Sequence, residues 1–212
     1  MHWKKRLLRN SKLYLILDRE VNSYDELFDI VKKSVPAGVD VIQLRDKYGT
    51  AKNILDFSKR IKKIIRNRAL YIINDRMDLA LAGQADGVHL GQDDCPIPVA
   101  RRLLGKKFII GASCQTPEHA RAAQKEGADY IGFGSIFKTL TKPHRFPMDL
   151  KLFARVHRMI KIPIFPIGGI NLDNIHQLRA MGVGRVAVCR AIGEAKDVAK
   201  ATKNFGKILS HA

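Results

Sequence analysis

Short apolar runs alternate along this chain with longer segments in which apolar residues recur every three or four positions. Residues 13–17, 39–44, 70–73, 87–90, 108–112, 130–133, 164–167 and 185–189 form the runs, and each predicts a strand. Their residues are apolar at successive positions, as a parallel sheet covered on both faces requires. The periodic segments predict helices between them. Ser23 and Glu26 make a capping box ahead of the stripe Leu27, Phe28, Ile30, Val31 and Val35. Further helices are expected over 50–67, 76–82, 98–104 and 149–159, and from about residue 192 onward. Another follows Thr116, with Pro117 and Glu118 in its first turn, and another runs from a cap at Asn171 to Gly182.

An internal repeat organises this alternation. Gly38, Gly83, Gly127 and Gly182 each stand between a helix end and a strand start, 45, 44 and 55 residues apart. A glycine there closes a helix in the left-handed conformation. Four double strand–helix units predict an α/β fold of one domain, a (β/α)8 TIM barrel over residues 13–212, preceded by a basic segment over 1–12. A doubly wound open sheet is the second choice. It usually has a glycine-rich first turn, whereas Asp18-Arg19-Glu20 has none.

Composition adjusts the picture in two places. The chain carries 38 Lys and Arg against 20 Asp and Glu, a formal charge of +18. The basic residues are dispersed, and the densest run (59–68) alternates with Ile at helical spacing, so it reads as a solvated helix face. The dispersed charge therefore argues against a nucleic-acid partner, and the field draws in anionic small molecules instead. No apolar run approaches the ~20 residues of a membrane span. Cys95, Cys114 and Cys189 have no disulfide or zinc spacing. A cytoplasmic protein with reduced thiols is expected, with a homo-oligomer possible.

In a barrel, the residues just after each strand line one mouth, and chemistry sits there. They are Gln43, Arg45 and Lys47; Asn74 and Asp75; Asp93 and Asp94; Ser113 and Gln115; Thr139, Thr141 and Lys142; Gly168 and Gly169; Cys189 and Arg190. Asp75 and Asp94 offer hard oxygen ligands suited to Mg2+. A carboxylate at such a place can equally cap a helix, and Asp78 and Asp93 are read that way. Arg45, Lys47 and Lys142 are cations for a diphosphate. Gly168-Gly169 and the turn at Cys189-Arg190 have the placement of a phosphate cradle. His89, inside the fourth strand, is expected to pack. Ser113 and Cys114 lack a partner base, which argues against a nucleophile. His144 and Arg145 lie on a loop that can close over a ligand.

The motifs Gln43-Leu44-Arg45-Asp46-Lys47, Ile73-Asn74-Asp75, Gly87 to Asp94, Gly111-Ala112-Ser113, Thr139-Leu140-Thr141-Lys142 and Ile167-Gly168-Gly169-Ile170 occur in order. At these residues the sequence resembles the thiamine-phosphate synthase (thiamine-phosphate pyrophosphorylase) family from residue 13 on. The resemblance implies a transferase that joins hydroxymethylpyrimidine diphosphate to hydroxyethylthiazole phosphate, releasing diphosphate. It implies that Gln43, Arg45, Lys47 and Asn74 bind the pyrimidine diphosphate and that Asp75 and Asp94 hold Mg2+. It places Ser113 near the pyrimidine and diphosphate, Thr139 and Thr141 near the thiazole, and Lys142 on the diphosphate. Gly169 with Cys189 and Arg190 then holds the thiazole phosphate, and Lys47, Ser113 and Lys142 are the catalytic residues. Three departures from the family pattern stand out: Arg190 in place of a small Ser, a short basic stretch over 142–147, and an N-terminal helix reduced to a basic segment. The alternatives are the related thiazole tautomerase, whose relatives lack the paired Asp and carry a His where Gln115 stands, and a non-catalytic barrel that binds a thiamine precursor.

Overall fold

The computed structural model describes residues 3–140 and 146–210. Its strands are β1 (Leu13–Asp18), β2 (Val41–Arg45), β3 (Leu70–Asn74), β4 (Gly87–Leu90), β5 (Ile109–Cys114), β6 (Tyr130–Phe133), β7 (Ile164–Pro166) and β8 (Val186–Val188). They are parallel and ordered β7-β6-β5-β4-β3-β2-β1-β8, and a bridge between Ile167 and Ala187 joins the two ends. The eight-stranded α/β barrel is therefore closed, and the open-sheet alternative is excluded.

The helices are α1 (Trp3–Asn10), α2 (Tyr24–Ser34), α3 (Ala51–Ile65), α4 (Met77–Ala82), α5 (Ile97–Leu104), α6 (Pro117–Lys125), α7 (Leu150–Met159), α8 (Ile175–Ala180), α9 (Arg190–Gly193) and α10 (Val198–Ser210). Both hydrogen bonds of the Ser23–Glu26 capping box are present, and Thr116 accepts from the His119 N–H at 3.2 Å. Asn171 caps differently from expectation. Its Oδ1 accepts from the Asp173 and Asn174 amides at 3.0 Å, building a turn that delays α8 to Ile175.

Three of the four repeated glycines are left-handed: Gly38 (φ +104°), Gly127 (φ +93°) and Gly182 (φ +77°). Gly83 is not. The following Gln84 takes the positive φ of 50° instead, and a Cβ at Gly83 would lie 2.9 Å from the Leu79 carbonyl oxygen. Three of the repeats then present an aspartate to the backbone of an earlier strand. Asp40 accepts from the Lys12 and Leu13 amides, Asp86 from Tyr71 and Asp129 from Ile110, at 2.8–3.0 Å.

Two apolar layers result. The larger lies between strands and helices; the smaller fills the lumen with Tyr14, Val41, Leu70, Ile72, Ile109, Tyr130, Phe165 and Ala187. The basic N-terminal segment is a helix rather than a bare extension. Leu8 of α1 is buried among the lumen residues. Lys4 pairs with Asp86 at 2.7 Å and Lys5 with Asp129 at 2.6 Å. The helix thus closes one end of the barrel and leaves the other for the site.

Candidate active site

At the open end lies a cavity of about 590 Å3, within the roughly 300–1,000 Å3 usual for small-molecule sites. Every described residue that the sequence assigned to a substrate or metal role lines it. Gln43 and Arg45 enter from β2 and Lys47 from just after it, Asn74 from β3 and Asp75 from just after it. Asp94 comes from the turn after β4, Ser113 from β5 and Thr139 from the β6–α7 connection. Gly169 follows β7, and Cys189 and Arg190 follow β8. Thr141, Lys142, His144 and Arg145 lie outside the described residues.

The acidic pair occupies one wall. Asp75 follows β3 with φ +63°, a conformation that Asp tolerates better than most side chains. Its amide donates to the His89 carbonyl at 2.8 Å, tying the two strand ends together. Asp94 Oδ2 accepts from the Gly91 amide at 2.6 Å. Burial raises the Asp94 pKa, the Gly91 amide opposes the rise, and hydrogen-bond and charge contact with Asp75 adds to it. Two carboxylates therefore converge, and Lys47 Nζ lies 2.9 Å from Asp75 as a partial counter-charge. Among the described residues no cluster of three or more His, Cys, Asp or Glu could hold a metal. Two oxygens from protein, completed by water and ligand phosphate, still suit Mg2+, which is seldom fully caged by side chains.

Asp78 and Asp93 do not cap helices. Asp78 sits in the first turn of α4 and pairs with Arg76 Nε at 2.9 Å. Asp93 lies in the turn after β4 at the cavity edge, and α5 begins only after Pro96.

The cations are less free than a strand-end list suggests. Arg45 Nη1 contacts both oxygens of the buried Asp18 at 2.9 Å, and Glu20 as well. Arg190 Nη1 pairs with Glu194, while its buried Nε has no hydrogen-bond partner. Gly168 (φ +105°) and Gly169 (φ +63°) pass close to the preceding loop. A Cβ at Gly169 would lie 2.2 Å from the Lys138 carbonyl oxygen, so the chain can run there only as glycine. Burial pushes the Cys114 and Cys189 thiols up to about 12, which removes both as nucleophiles near neutrality.

Tyr14, Asp18, His89 and Tyr130 also line the cavity, although a list confined to strand ends omits them. The signal was alternation. Tyr14, Ile16 and Asp18 share one parity on β1, as do Val41, Gln43 and Arg45 on β2, and that parity faces the lumen. His89 is buried, as expected of a packed residue, yet its ring nitrogens contact Tyr130 OH and Ser113 Oγ, both at 2.9 Å. Gly111 leaves the room for Tyr130, since a Cβ on it would lie 2.1 Å from the ring.

Comparison with known proteins gives a consistent result. Residues 13–192 match the family model described as thiamine monophosphate synthase. A thiamine-phosphate synthase of Fusobacterium nucleatum is 39% identical over 201 residues, covering 94% of this chain and 98% of its own. One from Syntrophomonas wolfei is 42% identical over 188 residues, covering 88% and 90%. The solved thiamine phosphate pyrophosphorylase of Pyrococcus furiosus superposes with a TM-score of 0.85 at 36% identity, covering 98% of each chain.

Proposed function

This chain belongs to the thiamine monophosphate synthase family, whose members are transferases, and from that premise we propose how its cavity divides the work. The reaction is attack of the thiazole nitrogen of hydroxyethylthiazole phosphate on hydroxymethylpyrimidine diphosphate, with diphosphate leaving. Asp75 and Asp94 would hold Mg2+, which supplies neutralisation of the charge that develops on the departing diphosphate. Lys47, already beside Asp75, adds a second cation at that end. Arg45, fixed by Asp18, offers its remaining N–H groups to the same anion. The amides of Gln43 and Asn74 and the Ser113 hydroxyl orient the pyrimidine. Gly169 and the turn at Cys189-Arg190 receive the thiazole phosphate through backbone N–H groups, and Arg190 exchanges Glu194 for that phosphate. Thr139 and Thr141 contact the thiazole, and Lys142 meets the diphosphate. No side chain need form a covalent bond, because the aminopyrimidine itself stabilises the cation left by diphosphate. We place the reaction in the cytoplasm, where free Cys95, Cys114 and Cys189 stay reduced.

The observation that carries this reading is the contact of Asp75 with Asp94 in the same cavity as Gly169 and Arg190. Two like charges are held together there with only a partial counter-charge. Incubation with both phosphorylated precursors tests the reading: thiamine phosphate is expected with Mg2+ and not after chelation. No product with any divalent metal would overturn it.

A further inference from the structure

An unbroken run of five hydrogen bonds crosses the floor of the cavity. It links Asn74 to Gln43 (2.8 Å), Gln43 to Tyr14 (2.6 Å), Tyr14 to Tyr130 (2.7 Å), Tyr130 to His89 (2.9 Å) and His89 to Ser113 (2.9 Å). Only the two ends belong to the groups assigned to substrate; the middle is two phenols and an imidazole. Burial raises the pKa of both phenols, which keeps each a neutral hydroxyl with one proton. Their rings make edge contacts with Phe165 at 5.2 and 5.7 Å.

One proton per hydroxyl gives the run a direction. Tyr14 donates to Gln43 Oε1, so at its other contact it accepts from Tyr130. The Tyr130 proton is thereby committed, and Tyr130 accepts from His89 Nδ1–H. A neutral imidazole protonated at Nδ1 has a bare Nε2, which accepts the Ser113 proton. Ser113 then shows a ligand only lone pairs. At the opposite end, Gln43 donates to Asn74 Oδ1, leaving amide N–H groups as what Asn74 offers. Turning the Gln43 amide over would reverse every donor, and Asn74 would then present oxygen to an anionic ligand.

We propose that Tyr14 and Tyr130 are positioning residues which, through His89, fix Ser113 as a hydrogen-bond acceptor while Gln43 and Asn74 act as donors. The floor thereby selects an amino-bearing heterocycle over its oxo counterpart. The donor direction rests on the Gln43 amide as placed, with Oε1 toward Tyr14 and Nε2 toward Asn74, and on a singly protonated His89 ring; the identity of the heterocycle rests on the reading under Proposed function.

Nitrogen-15 NMR of the histidine-labelled full chain reads the direction without any turnover, with the His89 signal identified by its loss in His89→Asn. The wild type is expected to show His89 as the neutral Nδ1–H tautomer. Tyr14→Phe keeps the ring but removes the acceptor for the Tyr130 proton. A buried proton must find another acceptor, so it turns to His89 Nδ1, and the tautomer reverses to Nε2–H. Gln43→Met removes the acceptor for Tyr14 and reverses the run by the same logic, so either variant suffices if the other fails to fold. A wild-type ring protonated at Nε2 or at both nitrogens, or a tautomer unchanged in the folded variants, would overturn the proposal.

A second readout is discrimination between 4-amino and 4-oxo pyrimidine diphosphates by kcat/KM. The wild type should prefer the amino form by about tenfold, the scale of one hydrogen bond. Tyr14→Phe should remove that preference and leave the KM for the thiazole phosphate unchanged; equal preference in the variant and the wild type counts against the proposal. Should the wild type make no thiamine phosphate at all, the family reading fails while the tautomer still decides the network.

Discussion

Two groups of aspartates, one at each end of the barrel, are held in opposite ways. At the closed end Asp86 and Asp129 each accept a backbone amide and meet a lysine of α1. Asp40 accepts two amides. Every one of those carboxylates is matched by donors, and α1 plugs that end with Leu8 buried beneath it. At the open end Asp75 and Asp94 face each other, and burial together with that contact pushes the Asp94 pKa up. The residue type is the same at both ends. The difference lies in how far the surroundings satisfy the charge, and the partly satisfied pair Asp75 and Asp94 is where a cation would gain most under the proposed reading.

Four substitutions or conditions sharpen this contrast. The largest effect is expected from Asp75→Asn. Asn accepts the positive φ of this position, so folding is retained, while Mg2+-dependent turnover should fall on the order of 100-fold or more. A titration of product formation against Mg2+ checks it, and turnover near wild type would remove Asp75 from the metal assignment. Next, Gly169→Ala forces a Cβ against the Lys138 carbonyl. Movement of the cradle should raise the KM for the thiazole phosphate about tenfold or more, with a smaller effect on the pyrimidine KM.

At the other end, Leu8→Ala should lower stability by about 2–4 kcal/mol, read from urea midpoints, and leave kcat within about twofold. A fall in kcat with unchanged stability would contradict the separation of the two ends. The smallest effect is on pH dependence. The folded-state pKa of Asp94 lies above its unfolded value, so the folded form binds the proton more readily. This group therefore favours the fold most at low pH, and that contribution is lost as pH rises through the folded pKa. Stability of the metal-free protein relative to Asp94→Asn should drop on going from pH 3 to pH 7, and Mg2+ should restore it. No drop, or no effect of Mg2+, would show that the pair is not strained.

The alternation of apolar runs with helical periodicity was enough to number the strands, because a strand buried on both faces announces itself locally. Which residues line the cavity was legible for a related reason. Strand ends in a barrel converge, so Gln43, Lys47, Asp75, Asp94, Ser113 and Gly169 could be read off in one dimension. The failures share a different cause. Gln84 rather than Gly83 takes the left-handed turn, and Asn171 builds a turn ahead of α8, because local sequence allows both outcomes and packing chooses. Asp78 and Asp93 have the placement of helix caps, but α4 and α5 start from Arg76 and Pro96 instead. His89 is buried, as its place in an apolar strand predicts; what local sequence does not show is that its ring meets Tyr130 and Ser113 from other strands.

The sequence by itself determined an eight-fold strand–helix alternation, a family resemblance and a set of carboxylates and cations at strand ends, since each depends on neighbours within a few residues. Tertiary structure alone decided which aspartates are satisfied and which collide. It also turned the basic N-terminal segment into a plug, tied Arg45 to Asp18 and Arg190 to Glu194, and joined Asn74 to Ser113 through Gln43, Tyr14, Tyr130 and His89. Those outcomes depend on donors and acceptors brought together from different strands and helices, and hydrogen-bond direction is a property of the assembled ring rather than of any residue in it.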